Sequence, residues 1–187
     1  MKIAIIIEDV NRRGGQERVL AELLGRLAPR HEVHLFCYEA EDLPPEVVVH
    51  RLRRPPVKSF MAGALWIVVR SLWAVNPRCF DVVLSQGGNA LNQTHTLVHA
   101  CQAQRWQLTR EVYWRLAPPA LPERLLRTFW YWVTAGLEGR AVRRCAPGRV
   151  LAVSAELANQ LSHYHRVPRE AITVCENGVD HKRFRPA

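Results

Sequence analysis

Apolar residues along this chain follow two patterns: short unbroken β-branched runs, and longer stretches where they recur every three or four positions. Lys2–Ile7 (K-I-A-I-I-I) is an unbroken run, as expected for a strand buried on both faces. A glycine-bearing loop, N-R-R-G-G, follows. Val19, Leu20, Leu23, Leu24, Leu27 and Ala28 then fall on one helical face, and Pro29 ends that helix. Val33–Cys37 and Val47–Leu52 predict two more strands, either side of a Pro44-Pro45 turn. Met61–Val75 predicts a second helix that stops near Asn76-Pro77. Val82–Leu84 reads as a strand entering a polar loop, S-Q-G-G-N, and Thr96–Ala100 as another short strand. A long helix starts after Pro122 and runs from Glu123 to about Cys145, where Ala146-Pro147-Gly148 breaks it. Val150–Val153, Ala155–Tyr164 and Ile172–Val174 then predict strand, helix and strand.

Strands alternating with helices across short loops imply an α/β fold: a Rossmann-like, doubly wound, mainly parallel sheet with right-handed crossovers. At 187 residues the chain is long enough for one well-cored domain and too short for two ordinary α/β domains. No internal repeat or low-complexity segment interrupts it.

Composition changes this picture little, but charge adds to it. A hydrophobic content of 48% with 23% charged residues belongs to a globular chain, not a disordered one. The net charge of +9 favours anionic partners, whether nucleic acid, phosphorylated small molecules or an acidic lipid surface. The five cysteines, Cys37, Cys79, Cys101, Cys145 and Cys175, are scattered and include no Cys-x-x-Cys pair. They read as reduced thiols of a cytosolic protein. No signal peptide is expected, since the first apolar run is short and meets Glu8-Asp9 at once. The longest uncharged stretches, Ser59–Val69 and Thr128–Leu137, are about half the ~20 residues a membrane span needs, so no crossing is expected.

Two segments carry a family resemblance. Gly14, Gly15, Glu17 and Arg18, with Leu23 and Leu27 behind them and then His31-Glu32-Val33, resemble the opening of the retaining glycosyltransferase family 4. Arg30 departs from that pattern, which usually has glycine before His-Glu-Val; the change bears on the helix end. Near the other end, V-L-A-V-S-A-E-L-A-N-Q-L from Val150 and A-I-T-V-C-E-N-G-V-D-H-K-R-F-R-P from Ala171 resemble the segment that closes the N-terminal half of that family's two-domain GT-B fold. The resemblance implies a Rossmann-like acceptor-side N-terminal domain over residues 1–176 and the start of an interdomain linker over 177–187. The C-terminal donor domain, with its paired glutamates, would lie outside this chain, which alone would then be close to inactive.

Ligands of such a sheet sit at the carboxyl ends of its strands. Gly14 and Gly15 precede a helix whose N-terminus suits phosphate, and the resemblance places them against the pyrophosphate of a nucleotide-sugar donor. A simple flexible connection explains two glycines equally well. By the same resemblance Asp9 and Glu17 would face the acceptor, and Arg18 is as readily a structural ion pair. His99, after T-L-V, looks like the family's histidine beside the reacting sugar; a backbone-bonded core histidine is the alternative. Gln86 and Asn89, in a polar loop after a strand, are further acceptor contacts unless they are ordinary loop-tip residues. His95, His99 and Cys101 would share a strand face, but no fourth ligand has metal-site spacing, so no metal or other cofactor is expected beyond the donor as substrate. His163 and His165, flanking Tyr164, read as solvated positions on a surface helix. Glu8-Asp9 suggests a phosphorylation receiver, but the Asp and Lys that fold needs at its third and fifth strands are missing.

Two helices are aromatic and basic: Phe60–Trp73 with Arg70, and R-L-L-R-T-F-W-Y-W-V from Arg124. Leu126, Phe129, Trp130, Val133 and Leu137 share a face, flanked by Arg124, Arg127, Arg140, Arg143 and Arg144, while Arg53, Arg54 and Lys58 form a basic loop. Aromatics bordered by arginines suit an anionic bilayer surface, unless those faces are core. The expected protein is thus a cytoplasmic glycosyltransferase, peripheral on the inner membrane face, taking a nucleotide-sugar and a lipid-linked, lipopolysaccharide or polysaccharide acceptor. The competing class is a non-enzymatic basic module binding membrane or, less readily, nucleic acid, since the basic residues form no single reading element.

Overall fold

The computed structural model describes residues 1–11, 14–57 and 59–178. The Asp180-x-x-x-Phe184-x-Pro186 tail, Lys58, and Arg12-Arg13 of the glycine loop lie outside them. The elements run β1 (Lys2–Ile6), β2 (Asp9–Val10), α1 (Gly15–Leu27), β3 (Glu32–Cys37), β4 (Glu39–Ala40), β5 (Val48–Arg51), α2 (Phe60–Ala74), β6 (Val82–Gln86) and β7 (His95–Val98). Then follow α3 (Gln102–Leu108), a π-helical turn (Thr109–Tyr113), α4 (Trp114–Leu116), α5 (Leu121–Arg144), β8 (Val150–Ala152), α6 (Ala155–His165) and β9 (Ile172–Val174).

Seven strands form one parallel sheet in the order β5-β3-β1-β6-β7-β8-β9. The side-chain period of two splits β1 between two cores. Ile3 and Ile5 pack with Leu20, Ala21 and Leu24 of α1, while Ala4 and Ile6 pack with Ile67 and Val68 of α2 on the other face. A third core joins Val150, Ala152 and Ile172 to Leu157 and Leu161 of α6. The chain moves outward from β1 through β3 to β5, then returns through α2 to place β6 on the other side of β1. That reversal opens a crevice at the carboxyl ends of β1 and β6.

All seven expected strands form, though Thr96–Ala100 shifts to His95–Val98 because pairing with β6 begins at Leu84–His95 and the chain turns away at Cys101. Two features were not expected. A two-residue parallel bridge, β2 with β4, forms a separate small sheet after β1 and β3. The helical stretch from Gln102 to Leu116 contains a π turn, in which the Trp114 N–H donates to the Thr109 carbonyl.

α5 spans 24 residues, with Pro122 in its first turn. Glu138, Gly139, Ala141 and Val142 are buried near its carboxyl end, whereas the first nine residues are all exposed. A Cβ on Gly88 would come within 3.2 Å of the Glu138 backbone nitrogen, so this glycine lets the loop after β6 lie directly against α5.

Candidate active site

Glu8 follows β1, Gln86 ends β6 and His99 follows β7, so parallel pairing delivers all three to one edge of the sheet. Gln86 is only 2% exposed and joins the group together. Its Oε1 accepts from Gln16 Nε2 at 3.3 Å and lies 3.1 Å from His99 Nε2. An amide oxygen only accepts, so His99 carries its proton on Nε2 and keeps a lone pair on Nδ1. Burial holds the His99 pKa below the ordinary value, while the Glu17 carboxylate opposes that shift weakly. The imidazole is therefore neutral at physiological pH. Gln86 Nε2 is buried without a partner among the described residues, a donor waiting for an acceptor atom.

These residues wall a cavity of about 310 Å³, together with Glu8, Arg105 and Tyr131. A second cavity of about 610 Å³ shares Glu8, Gln16 and Asn89 with it and extends past Asp9, Glu17 and Arg54. The expected site residues distribute over both. Gln86 and His99 line the first, Asp9 and Glu17 the second, and Asn89 both. Asp9 is already committed, pairing with Arg54 at 2.8 Å and accepting the Glu39 N–H at 3.2 Å. Arg54 in turn lies over the Tyr38 ring, 5.0 Å from its centroid, and the Tyr38 hydroxyl donates to the Gly63 carbonyl. Gly14 caps α1 and Gly15 begins it, but neither lines these two cavities; the adjacent Gln16 and Glu17 do. A Cβ on Gly14 would run into the Glu17 carboxylate, whereas one on Gly15 would meet open space. Gly15 is thus free of packing duty at the positive end of a 13-residue helix.

Glu8, Gln16 and Arg105 were missed as site residues. Glu8 had a signal, as the first polar residue after a buried strand that ends at the crevice. Its pKa is raised to about 7, first by burial and then by Asp9, with Arg54 opposing. The folded state thus holds the Glu8 proton more tightly than the unfolded chain does. That contribution to stability is complete below the usual carboxylate range and is lost as pH rises through 7. Glu8→Gln removes the ionisation. The variant should match wild type in urea unfolding at pH 4.5 and exceed it by about 2 kcal/mol at pH 8.5. The same difference at both pH values would refute this account.

Cys101, Glu138 and His165 also converge, with one potential ligand atom from each lying within 4.8 Å of the others. This corrects two expectations. His165 is buried, not solvated, in space that Gly139 provides, where a Cβ would come within 2.8 Å of His165 Nδ1. His95, His99 and Cys101 separate: His95 Nδ1 meets Thr94 Oγ1, His99 meets Gln86, and Cys101 Sγ lies 4.0 Å from His165 Nε2. The Cys101–Glu138–His165 arrangement does not fit a metal. Two ligands bound tetrahedrally at ~2.0–2.1 Å lie about 3.3 Å apart. Here His165 Nε2 is 2.6 Å from Glu138 Oε1, and the Glu138 oxygens also accept the Gln102 N–H at 3.0 and 3.2 Å. The cluster is a buried hydrogen-bonded clasp joining α5, α6 and the start of α3, and its Glu138 forms part of the wall of the His99 cavity.

Comparison with known proteins gives a family and a fold. The family model described as Glycosyltransferase Family 4 matches residues 13–183. Among solved structures, the crystal structure of WaaG, a glycosyltransferase involved in lipopolysaccharide biosynthesis, superposes with a TM-score of 0.64 at 12% identity, over 92% of this chain and 44% of that one. Phytolacca americana UGT2, complexed with UDP-2fluoro-glucose and pterostilbene, gives 0.55 at 13% identity, over 96% of this chain and 54% of its own. This chain thus spans about half the length of each. No curated protein matches it in sequence.

Proposed function

Because the chain belongs to glycosyltransferase family 4, we propose that it forms the acceptor-recognising N-terminal domain of a nucleotide-sugar-dependent, retaining glycosyltransferase. The observation that carries the acceptor-side reading is the half-buried Gln16–Gln86–His99 chain facing a polar cavity. An acceptor hydroxyl in that cavity would donate to the neutral His99 imidazole and receive the unpaired Gln86 N–H. Glu8, with a pKa of about 7 on the same wall, is suited to hold or release a proton at neutral pH. The N-terminus of α1 at Gly14-Gly15 offers a partial positive charge to the donor's phosphates. Sugar and base contacts would come from a separate donor half.

The acceptor is read as lipid-linked, with the protein peripheral on the cytoplasmic membrane face. Leu121, Leu125, Phe129 and Trp132 of α5 and Leu116 of α4 are exposed, and Arg115, Arg124 and Arg127 lie among them. Among the described residues no helix is long and apolar enough to cross a membrane. An apolar surface bordered by arginines matches an anionic bilayer face.

Testing the reading means asking which substrate this chain holds. It should co-sediment with anionic vesicles, lose that binding as salt rises, and ignore neutral vesicles. In calorimetry it should bind UDP-glucose or another nucleotide sugar no more tightly than about 1 mM, roughly −4 kcal/mol. Micromolar donor binding would place the donor site in this half and overturn the assignment. Equal sedimentation with both vesicle types would remove the membrane from it.

A further inference from the structure

Beside the His99 cavity lies a separate pocket of about 380 Å³, between the α3–α4 stretch and α5, whose lining includes Arg105, Tyr113, Arg127 and Tyr131. We propose that this pocket seats a phosphate group of the acceptor, making the acceptor a phosphate-bearing amphiphile. The inference rests on the acceptor-side reading above and deepens it.

Charge is the first observation. Two guanidinium groups border the pocket and no carboxylate lines it. Arg105 forms no ion pair with any described residue. Arg127 bonds Glu123 at 2.6 Å, but that pair is an exposed i,i+4 contact, worth little in water and easily exchanged for phosphate. Guanidinium forks recognise phosphate oxygens in pairs, and two forks around one pocket satisfy a doubly charged group.

The second observation is that the walls are held in place. Trp106 stacks on Tyr131 with centroids 5.1 Å apart, and Trp114 meets Trp106 edge-on at 4.9 Å. The Thr109 hydroxyl donates to the Arg105 carbonyl at 2.8 Å and lies 3.3 Å from the Tyr131 hydroxyl. The π turn begins at that threonine.

Placement is the third. Arg105 and Tyr131 line both this pocket and the His99 cavity, so the two spaces share a wall. On the other side the exposed Leu108, Tyr113 and Leu116 face solvent. A ligand lying across the three regions would present a hydroxyl to His99, a phosphate to Arg105 and Arg127, and an apolar chain to the exposed leucines. A neutral glycan would leave Arg105 without an ionic partner among the described residues.

The same chemistry, a phosphate ester, could come from the acceptor or from a membrane lipid headgroup, and the test separates them. Octyl phosphate, kept below its micellar concentration, is titrated into the chain by calorimetry, with octyl glucoside as the neutral control. Saturable binding of the phosphate alone is expected, weakened about tenfold by Arg105→Gln and by Arg127→Gln. Arg105→Lys, which keeps the charge but loses the fork, should fall between. Arg26→Gln, exposed on α1 and outside the pocket, should leave octyl phosphate binding intact. Thermal melts of each variant establish that it is folded. Equal binding of octyl glucoside, or no loss in Arg105→Gln and Arg127→Gln, overturns the inference. So does arginine-dependent binding to phosphatidylglycerol vesicles with none to soluble octyl phosphate, since the pocket would then meet only headgroups. Either result leaves the donor titration, and with it the glycosyltransferase reading, undisturbed.

Discussion

His99→Ala should lower the turnover of sugar transfer by about 10²-fold in the glycosyltransferase proposed above, with little change in thermal stability. The magnitude is that of removing one positioned proton-accepting group. His99 sits in the cavity wall, not in a close-packed core, so its loss leaves no large void. The pH profile of wild type adds a signature. Only the neutral ring offers the Nδ1 lone pair, so activity should fall as pH drops through the His99 pKa. Burial lowers that pKa, so the acid limb should lie below the ordinary histidine value and should vanish in His99→Ala. Gln86→Leu should weaken acceptor binding and release His99 from its tautomer, which ¹⁵N shifts of the imidazole would report directly. A His99→Ala enzyme with wild-type turnover would remove His99 from the mechanism.

Glu138→Ala should destabilise the fold by about 3 kcal/mol, a large share of the stability of a domain this size. The glutamate side chain is 3% exposed and accepts from His165 and from the Gln102 N–H. Removing it strands two buried donors at once, which costs more than the net worth of the bonds themselves. Glu138→Gln keeps an acceptor oxygen and should cost about 1 kcal/mol. Urea denaturation measures both. A loss under 1 kcal/mol for the alanine variant would show that water satisfies the clasp when the carboxylate is absent.

The contrast between β1 and the α3–α4 stretch shows what was legible in the sequence. K-I-A-I-I-I permits only a strand buried on both faces, and the switch between β1 and β6 follows from the order of such strands. Between Gln102 and Leu116, tryptophans and arginines are mixed without a 3.6-residue apolar period, and the π turn shifts the phase midway. No local pattern marks that segment as helical. His165 was misread for a related reason. Its partners, Glu138 and Cys101, lie 27 and 64 residues away, and the space it fills comes from Gly139 on another helix. The glycine pair and His99 could be named as candidates from motif and strand end. Gln16 and Arg105 become site residues only once the crevice exists.

α5 is clamped by buried contacts near its carboxyl end and carries an exposed tip at the other. Between Glu138 and Leu121 it extends about 26 Å, at 1.5 Å per residue. Thr134 and Leu137, next to the clamp, line the His99 cavity, while the opposite tip ends in exposed leucines. The helix is therefore a lever with its fulcrum beside the cavity. A tilt of about 10° at Glu138 would swing Leu121 through about 4–5 Å, yet move Thr134 by about 1 Å. Whatever surface the tip rests on holds mechanical advantage over the width of the cavity.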